Sequence, residues 1–264
     1  GDDFLLDGLS RIVLLDGHRE AVEECFIQDV GAGEAAIFRT LALGVASGDD
    51  GEASGWLDEL VNLLEEDTLA LEDWLKRDGR LALVPACKVS RQAALGLAHI
   101  HEKCMVHRNI CPANLWVNDQ GMVKIVGLDC VRDTDGSFGI EDPRGAQTSV
   151  LGELDDMAPE QAAHPEQTDP RSDVYSLGCV LYRCLTGAPP FGERRKVADV
   201  TSVATQPKPL AEAVPETPAD VGKLVNAMLS TDPDQRPQLA ELVTLLEAHL
   251  GPDGPDLNEA DSSR

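Results

Sequence analysis

The residues with the most chemical content lie in one stretch, VHRNICPANLWVNDQGMVKIVGLD, residues 106–129 of a chain of 264. Its reactive types are His107, Arg108, Asn109, Cys111, Asn114 and Asp129, with Gly127 just ahead of the last. An amide such as Asn109 has no basic lone pair at neutral pH and cannot take a proton from an attacking hydroxyl. Asn114 offers a cation one neutral amide oxygen, a poor Mg²⁺ site by itself. Cys111, like Cys25 far upstream, has no evident cationic neighbour in sequence to lower its thiol pKa, so both read as inert.

Several elements must position this stretch. The β-rich runs LWV and MVKIV flank Asn118-Asp119-Gln120-Gly121, which has the turn chemistry of a hairpin. Val84–Lys103 carries helical periodicity, with Val89, Ala93, Leu97 and Ile100 on one stripe, and Leu69–Lys76 predicts a shorter helix before it. His99 and His101 sit two apart on the long helix, do not share a face, and make a poor metal pair. Residues 127–156 are rich in Gly, Asp and Ser and predict a long connection, uncommon in a compact domain unless it has a function. Asp173–Leu185 is apolar almost all round and predicts a buried central helix. Further helices are expected at Ala219–Leu229 and, after Pro237, at Gln238–Leu250. In the first third, Arg11–Leu15, Cys25–Ile27 and Leu60–Leu64 predict short strands, Glu34–Leu43 a short helix, and residues 44–55 a solvated loop.

The formal charge is −25, from 22 Lys and Arg against 47 Asp and Glu, which excludes a nucleic-acid binder because phosphate neutralisation needs a basic face. Hydrophobic residues at 42% and charged residues at 26% exclude wholesale disorder. There is no apolar run of transmembrane length, and GDDFLLDG is not a signal-peptide start, so the segment is expected in the cytoplasm and off the membrane. The 7 cysteines never form CxxC, which argues for reduced, mostly buried thiols rather than a disulfide framework or zinc site. Acidity of this degree suits a monomeric domain with a basic protein partner, and the start at Gly1 is read as that of a piece of a larger protein.

The stretch from His107 to Asp129 resembles the catalytic loop and metal-binding segment of eukaryotic-type protein kinases, H-R-D-x-K-x-x-x-N followed by strand, turn, strand and D-F-G. MAPEQ at Met157–Gln161, SDVYSLGCVLYRCLTGAPPF at Ser172–Phe191 and DPDQRP at Asp232–Pro237 follow in the family's order, and their phrasing is most like that of bacterial Ser/Thr kinases. The resemblance implies that Glu160 pairs with Arg236, that Asp173 ties down the backbone around His107 and Arg108, and that His107 is a packing residue. It also implies that Arg108 meets either a phosphate on Ser137, Thr148 or Ser149 or one of the acids Asp133, Asp135, Glu141 and Asp142.

The scaffold positions are kept, whereas the reactive ones are not. In this family an Asp accepts the substrate proton, an Asp and an Asn hold Mg²⁺, and a strand Lys grips the phosphates. Here Asn109 stands for the base, Cys111 for the Lys two residues on and Gly127 for the metal-binding Asp, leaving Asn114 as the residual Mg²⁺ and ATP position. Asp129 could rescue the site only by a two-residue slip, roughly 6 Å of extended chain. Glu153 and Asp156 stand where the family has a Thr and a Tyr of the substrate-side loop. The acids of ELDD could favour a basic peptide or simply form a solvated loop.

Aligning SRIVLLDGHREAVEECFI with the family's first strands places Cys25 at the strand Lys, keeps Gly8 alone of the loop glycines, and puts Thr40 near the place of the helix Glu. Leu63, Leu64, Glu65 and Glu66 then form the hinge, whose backbone could hold adenine whatever the side chains. A rival alignment reads RIVLLDG and FIQDV as the strands before the hinge and truncates the small lobe. Trp56 and Trp74 read as core or hinge-edge packing residues, with a partner surface as the alternative for Trp74.

The expectation is therefore an α+β, protein-kinase-like two-lobe fold over residues 1–250, with a β-rich N-lobe at about 1–64, a helical C-lobe at about 68–250 and a polar tail at 251–264. The expected function is that of a pseudokinase, a regulatory or interaction module with no cofactor. The alternative is a divergent Ser/Thr kinase of weak activity using ATP and Mg²⁺, and a third reading is a folded spacer.

Overall fold

The computed structural model describes residues 69–118, 121–127, 132–133, 153–165, 168–192, 200 and 206–250. The chain divides into two units, residues 1–68 with 127–129 and residues 69–126 with 130–264. Of the first unit only Gly127 is among the described residues. The expected N-lobe elements, Gly8, Cys25, Thr40, Trp56, the hinge residues Leu63–Glu66, Asp129 and the tail lie outside them.

The second unit mixes helix with small sheets. It opens on β1, Leu69–Ala70, which pairs antiparallel with β3, Leu115–Val117, placing Leu69 opposite Val117 and Ala70 opposite Trp116. Helix α1 therefore runs Leu71–Asp78 and starts two residues later than periodicity predicts, because the strand partner, a tertiary feature, decides the conformation of Leu69 and Ala70. Glu72 and Asp73 in its first turn and Lys76 and Arg77 in its last suit the helix dipole.

Helix α2, Leu83–Glu102, carries Ala86, Val89, Ala93 and Leu97 at zero exposure and packs on two later helices, Pro170–Thr186 and Leu239–Glu247. It leads through β2, Met105–Val106, and a 3-10 turn at Pro112–Asn114 into β3, which forms a hairpin with β4, Val123–Ile125, in the register Leu115 to Ile125 and Val117 to Val123. Gln92 of α2 pins the hairpin end, donating Nε2 to the Gly121 carbonyl at 2.7 Å and accepting the Val123 N–H at 3.1 Å.

The connection after Gly127 is not loop throughout. Arg132–Asp133 forms β5, antiparallel to β2, and Glu153–Asp155 forms a 3-10 turn. A two-residue strand is too short to leave a periodic signal in sequence. Helix α3 follows at Pro159–Ala163.

Helix α4, Pro170–Thr186, is the buried centre, with Leu177, Cys179, Val180 and Leu181 at zero exposure. It begins ahead of Asp173 because Asp169 caps it, accepting the Arg171 N–H at 2.8 Å, and Pro170 fills the first turn where no amide donor is needed. It ends at Gly187, left-handed at φ 78, whose N–H returns to the Arg183 carbonyl at 2.8 Å. A Cβ at Gly187 would stand 2.3 Å from the Gly79 carbonyl oxygen, so this crossing requires glycine twice over. Helices α5, Leu210–Ala213, α6, Ala219–Met228, and α7, Leu239–Glu247, complete the unit. The last is shorter than expected, since His249 and Leu250 already bond three residues back, to Leu246 and Glu247, in tightened turns.

Candidate functional site

Asp173 is fully buried and organises the loop after β2. Its Oδ2 accepts the His107 N–H at 2.9 Å and its Oδ1 the Arg108 N–H at 2.8 Å. His101 adds Nε2 at 2.8 Å to the same Oδ2. Backbone N–H groups and the His101 ring thus surround a carboxylate that has no solvent exposure. His101 is a partner of Asp173 that the sequence reading missed, because the two lie 72 positions apart and no local pattern links them.

His107 is buried, and both of its ring nitrogens are engaged. Nδ1 accepts the Asn109 N–H at 3.2 Å, which leaves Nε2 to donate to the Val126 carbonyl at 3.1 Å. That pairing sets the neutral tautomer with the proton on Nε2. The imidazole is a spacer between the loop and the strand end, not a proton carrier.

The positions set against the family's base, lysine and metal ligands follow. Asn109 is half-buried, and its carbonyl accepts Nδ2 of Asn114 at 2.8 Å. Asn114 is 5% exposed, and its own carbonyl accepts the Val126 N–H at 2.9 Å, so it knits the loop to the end of the hairpin. Cys111 is a buried thiol. Gly127 has φ 80, a conformation that any side chain, a carboxylate included, would find strained. Of the residues expected to meet Arg108, Asp133 lies in β5, whereas Asp135, Ser137, Glu141, Asp142, Thr148 and Ser149 lie outside the described residues.

The structure brings Glu160 and Arg236 together in a fork-to-fork pair, Nη1 to Oε1 at 2.6 Å and Nη2 to Oε2 at 2.8 Å. Ser172 donates to Glu160 Oε1 at 2.6 Å, and Arg236 also reaches the carbonyls of Arg171 and Ser230, each at 2.9 Å, with its guanidinium 5.0 Å over the Tyr175 ring. Burial opposes ionisation of Glu160, but the bonds from Arg236 and Ser172 and the Arg236 charge outweigh it and hold the carboxyl below its usual range.

ELDD is not a solvated loop. Asp155 and Asp156 are 5% and 2% exposed, and Asp156 faces Nη2 of Arg183 at 3.4 Å. Folding the turn against α4 puts these acids inside, and a charge pair across 27 positions is what makes that tolerable. Trp74 is 6% exposed and belongs to the core.

The donor set at these positions does not fit a Mg²⁺ ion. Asn114 supplies one neutral oxygen, Gly127 supplies no side chain, and among the described residues no group of His, Cys, Asp and Glu could hold a metal. What remains intact is the frame, namely Asp173 with His101, His107 between loop and strand, and the Glu160–Arg236 pair.

A family model described as the protein kinase domain matches residues 58–245, a span that begins after Cys25. Among curated proteins, serine/threonine-protein kinase PknB of Mycolicibacterium smegmatis is 33% identical over 222 residues, covering 80% of this chain and 34% of that protein. PknB of Mycobacterium leprae is 32% identical over 228 residues, covering 83% and 36%, and PknB of Mycobacterium tuberculosis is 32% identical over 202 residues, covering 74% and 31%. The chain spans about a third of the length of these relatives.

Proposed function

The chain belongs to the protein kinase domain family and has its mixed helix and sheet fold, and from that premise we propose that it is a pseudokinase, a regulatory or protein-interaction module that does not transfer phosphate. One observation carries the reading. An amide, a thiol and a glycine, at Asn109, Cys111 and Gly127, stand at the positions of base, lysine and metal ligand inside a frame that is otherwise complete. Loss of a general base alone costs about 10²–10⁴ in rate, and loss of the metal ligand and lysine adds to it, though not additively. With its acidic surface, the module would act as a monomeric domain of a larger cytoplasmic protein on a partner of basic character.

The relatives favour a second reading. They are named serine/threonine-protein kinases, so a divergent kinase of weak activity using ATP and Mg²⁺ is the alternative. The two are separated by incubating the purified chain with labelled ATP, Mg²⁺ and a generic basic protein substrate. The pseudokinase reading expects no transfer to itself or to the substrate. Mg²⁺-dependent transfer that disappears in Asn114→Ala would replace it with the enzyme reading.

A further inference from the structure

Arg108 is left-handed, at φ 66, a conformation its Cβ makes costly. Two buried side chains hold its peptide groups from opposite ends. Asp173 accepts its N–H at 2.8 Å, and Gln161 donates Nε2 to its carbonyl at 2.7 Å. Gln161 is 6% exposed, and its Oε1 is buried with no hydrogen-bond partner. Among the described residues the bond to Arg108 is thus the one polar interaction of that side-chain amide, and the amide's orientation follows from it, because a flip would set oxygen against oxygen.

An amide that leaves half its capacity unused is a poor choice for filling space, since leucine would occupy a similar volume with no polar group to bury. The carbonyl of Arg108 accounts for its presence. Both jaws are also rooted in one block, for Gln161 follows Glu160, Asp173 follows Ser172, and Ser172 bonds Glu160 at 2.6 Å. We propose that Gln161 is a positioning residue that holds Arg108 left-handed. It thereby fixes the Asn109 N–H on His107 and the Asn109 carbonyl under Asn114. This role belongs to the loop's shape and does not depend on whether the chain transfers phosphate.

The test uses the full chain with Gln161→Leu, Arg108→Gly and the double variant. Glycine adopts positive φ freely, so if Gln161 acts by holding that conformation, most of the loss of denaturant midpoint caused by Gln161→Leu disappears in the Arg108→Gly background. Native-state hydrogen exchange at the Asn109 amide should also quicken by about tenfold beyond any change in the amides of α7. Equal midpoint losses in both backgrounds, with Asn109 exchange tracking α7, would overturn the proposal and leave Gln161 a packing residue. Should Gln161→Leu not fold, Gln161→Met in the same two backgrounds gives the same decision, because methionine fills a similar volume and cannot donate to the Arg108 carbonyl.

Discussion

The Glu160–Arg236 pair allows a prediction whose magnitude can be worked from the contacts. The Arg236 side chain has no solvent exposure, while that of Glu160 retains 21%. Glu160→Ala strands a buried guanidinium with two carbonyls as its remaining partners, those of Arg171 and Ser230, which accept but carry no charge. Breaking a buried pair in this way costs about 3–5 kcal/mol. Arg236→Ala leaves a carboxylate that water can partly reclaim, but it also takes the donor from the Ser230 carbonyl at about 1 kcal/mol and removes a cation from the face of Tyr175. Its total should likewise be about 3 kcal/mol. In urea, with a slope of about 2–3 kcal/mol per molar, either variant should lower the midpoint by about 1 M or more, read by tryptophan fluorescence. The sign with pH follows from the depressed Glu160 carboxyl. The pair's stability is fully present above the unfolded carboxyl's pKa and is lost as pH falls through the lower folded value, so the gap between wild type and Glu160→Ala should close in acid. Unchanged midpoints for both variants at neutral pH would refute the inferred cost of stranding either charge.

Gly187→Ala combines a positive φ with a Cβ 2.3 Å from a carbonyl oxygen, so it should cost roughly 2–4 kcal/mol in a denaturant melt, and a loss under 1 kcal/mol would mean that the crossing of Gly79 and Gly187 is loose. Burial pushes the thiol of Cys87 up to about 11, helped by the Asp220 charge, and that of Cys184 up to about 12, whereas Cys104 is exposed. Alkylation at pH 8 followed by mass spectrometry should therefore label Cys104 first of the described cysteines, and native-state labelling of Cys184 at the Cys104 rate would contradict the packing. Asn109→Ala should leave stability within about 0.5 kcal/mol, because the loop holds that residue by its N–H and carbonyl; a larger drop in melting temperature than this implies would reveal a structural task for the amide.

Helices α2, α4 and α6 were legible from periodicity, with errors of one to three residues at most of their ends, because an apolar stripe is a local pattern that tertiary packing preserves. The strands β1 and β5 were not, since two-residue pairings exist only by virtue of a partner 46 or more residues away in one case and 26 or more in the other. The frame of the site was legible through its motifs, which name Glu160, Asp173 and Arg236 together. The contributions of His101, Gln161 and Arg183 were invisible. Each depends on a single side chain meeting a group from a distant segment, and neither its type nor its neighbours announce that meeting. Asp155 and Asp156 misled for the related reason that an acidic run reads as surface until its countercharge is known.

Asp173 takes hold of residues 107 and 108 by their backbone N–H groups, which every amino acid except proline carries. Its grip is blind to what the neighbouring side chains are. A lineage released from any need to move phosphate could therefore replace residues such as those at 109, 111 and 127 one at a time while the loop kept its path, and selection for a folded protein would not oppose the change. Proline at 107 or 108 would meet immediate resistance. Inheritance of form and inheritance of chemistry are uncoupled at this carboxylate, so a working surface can outlast the reaction it was built for.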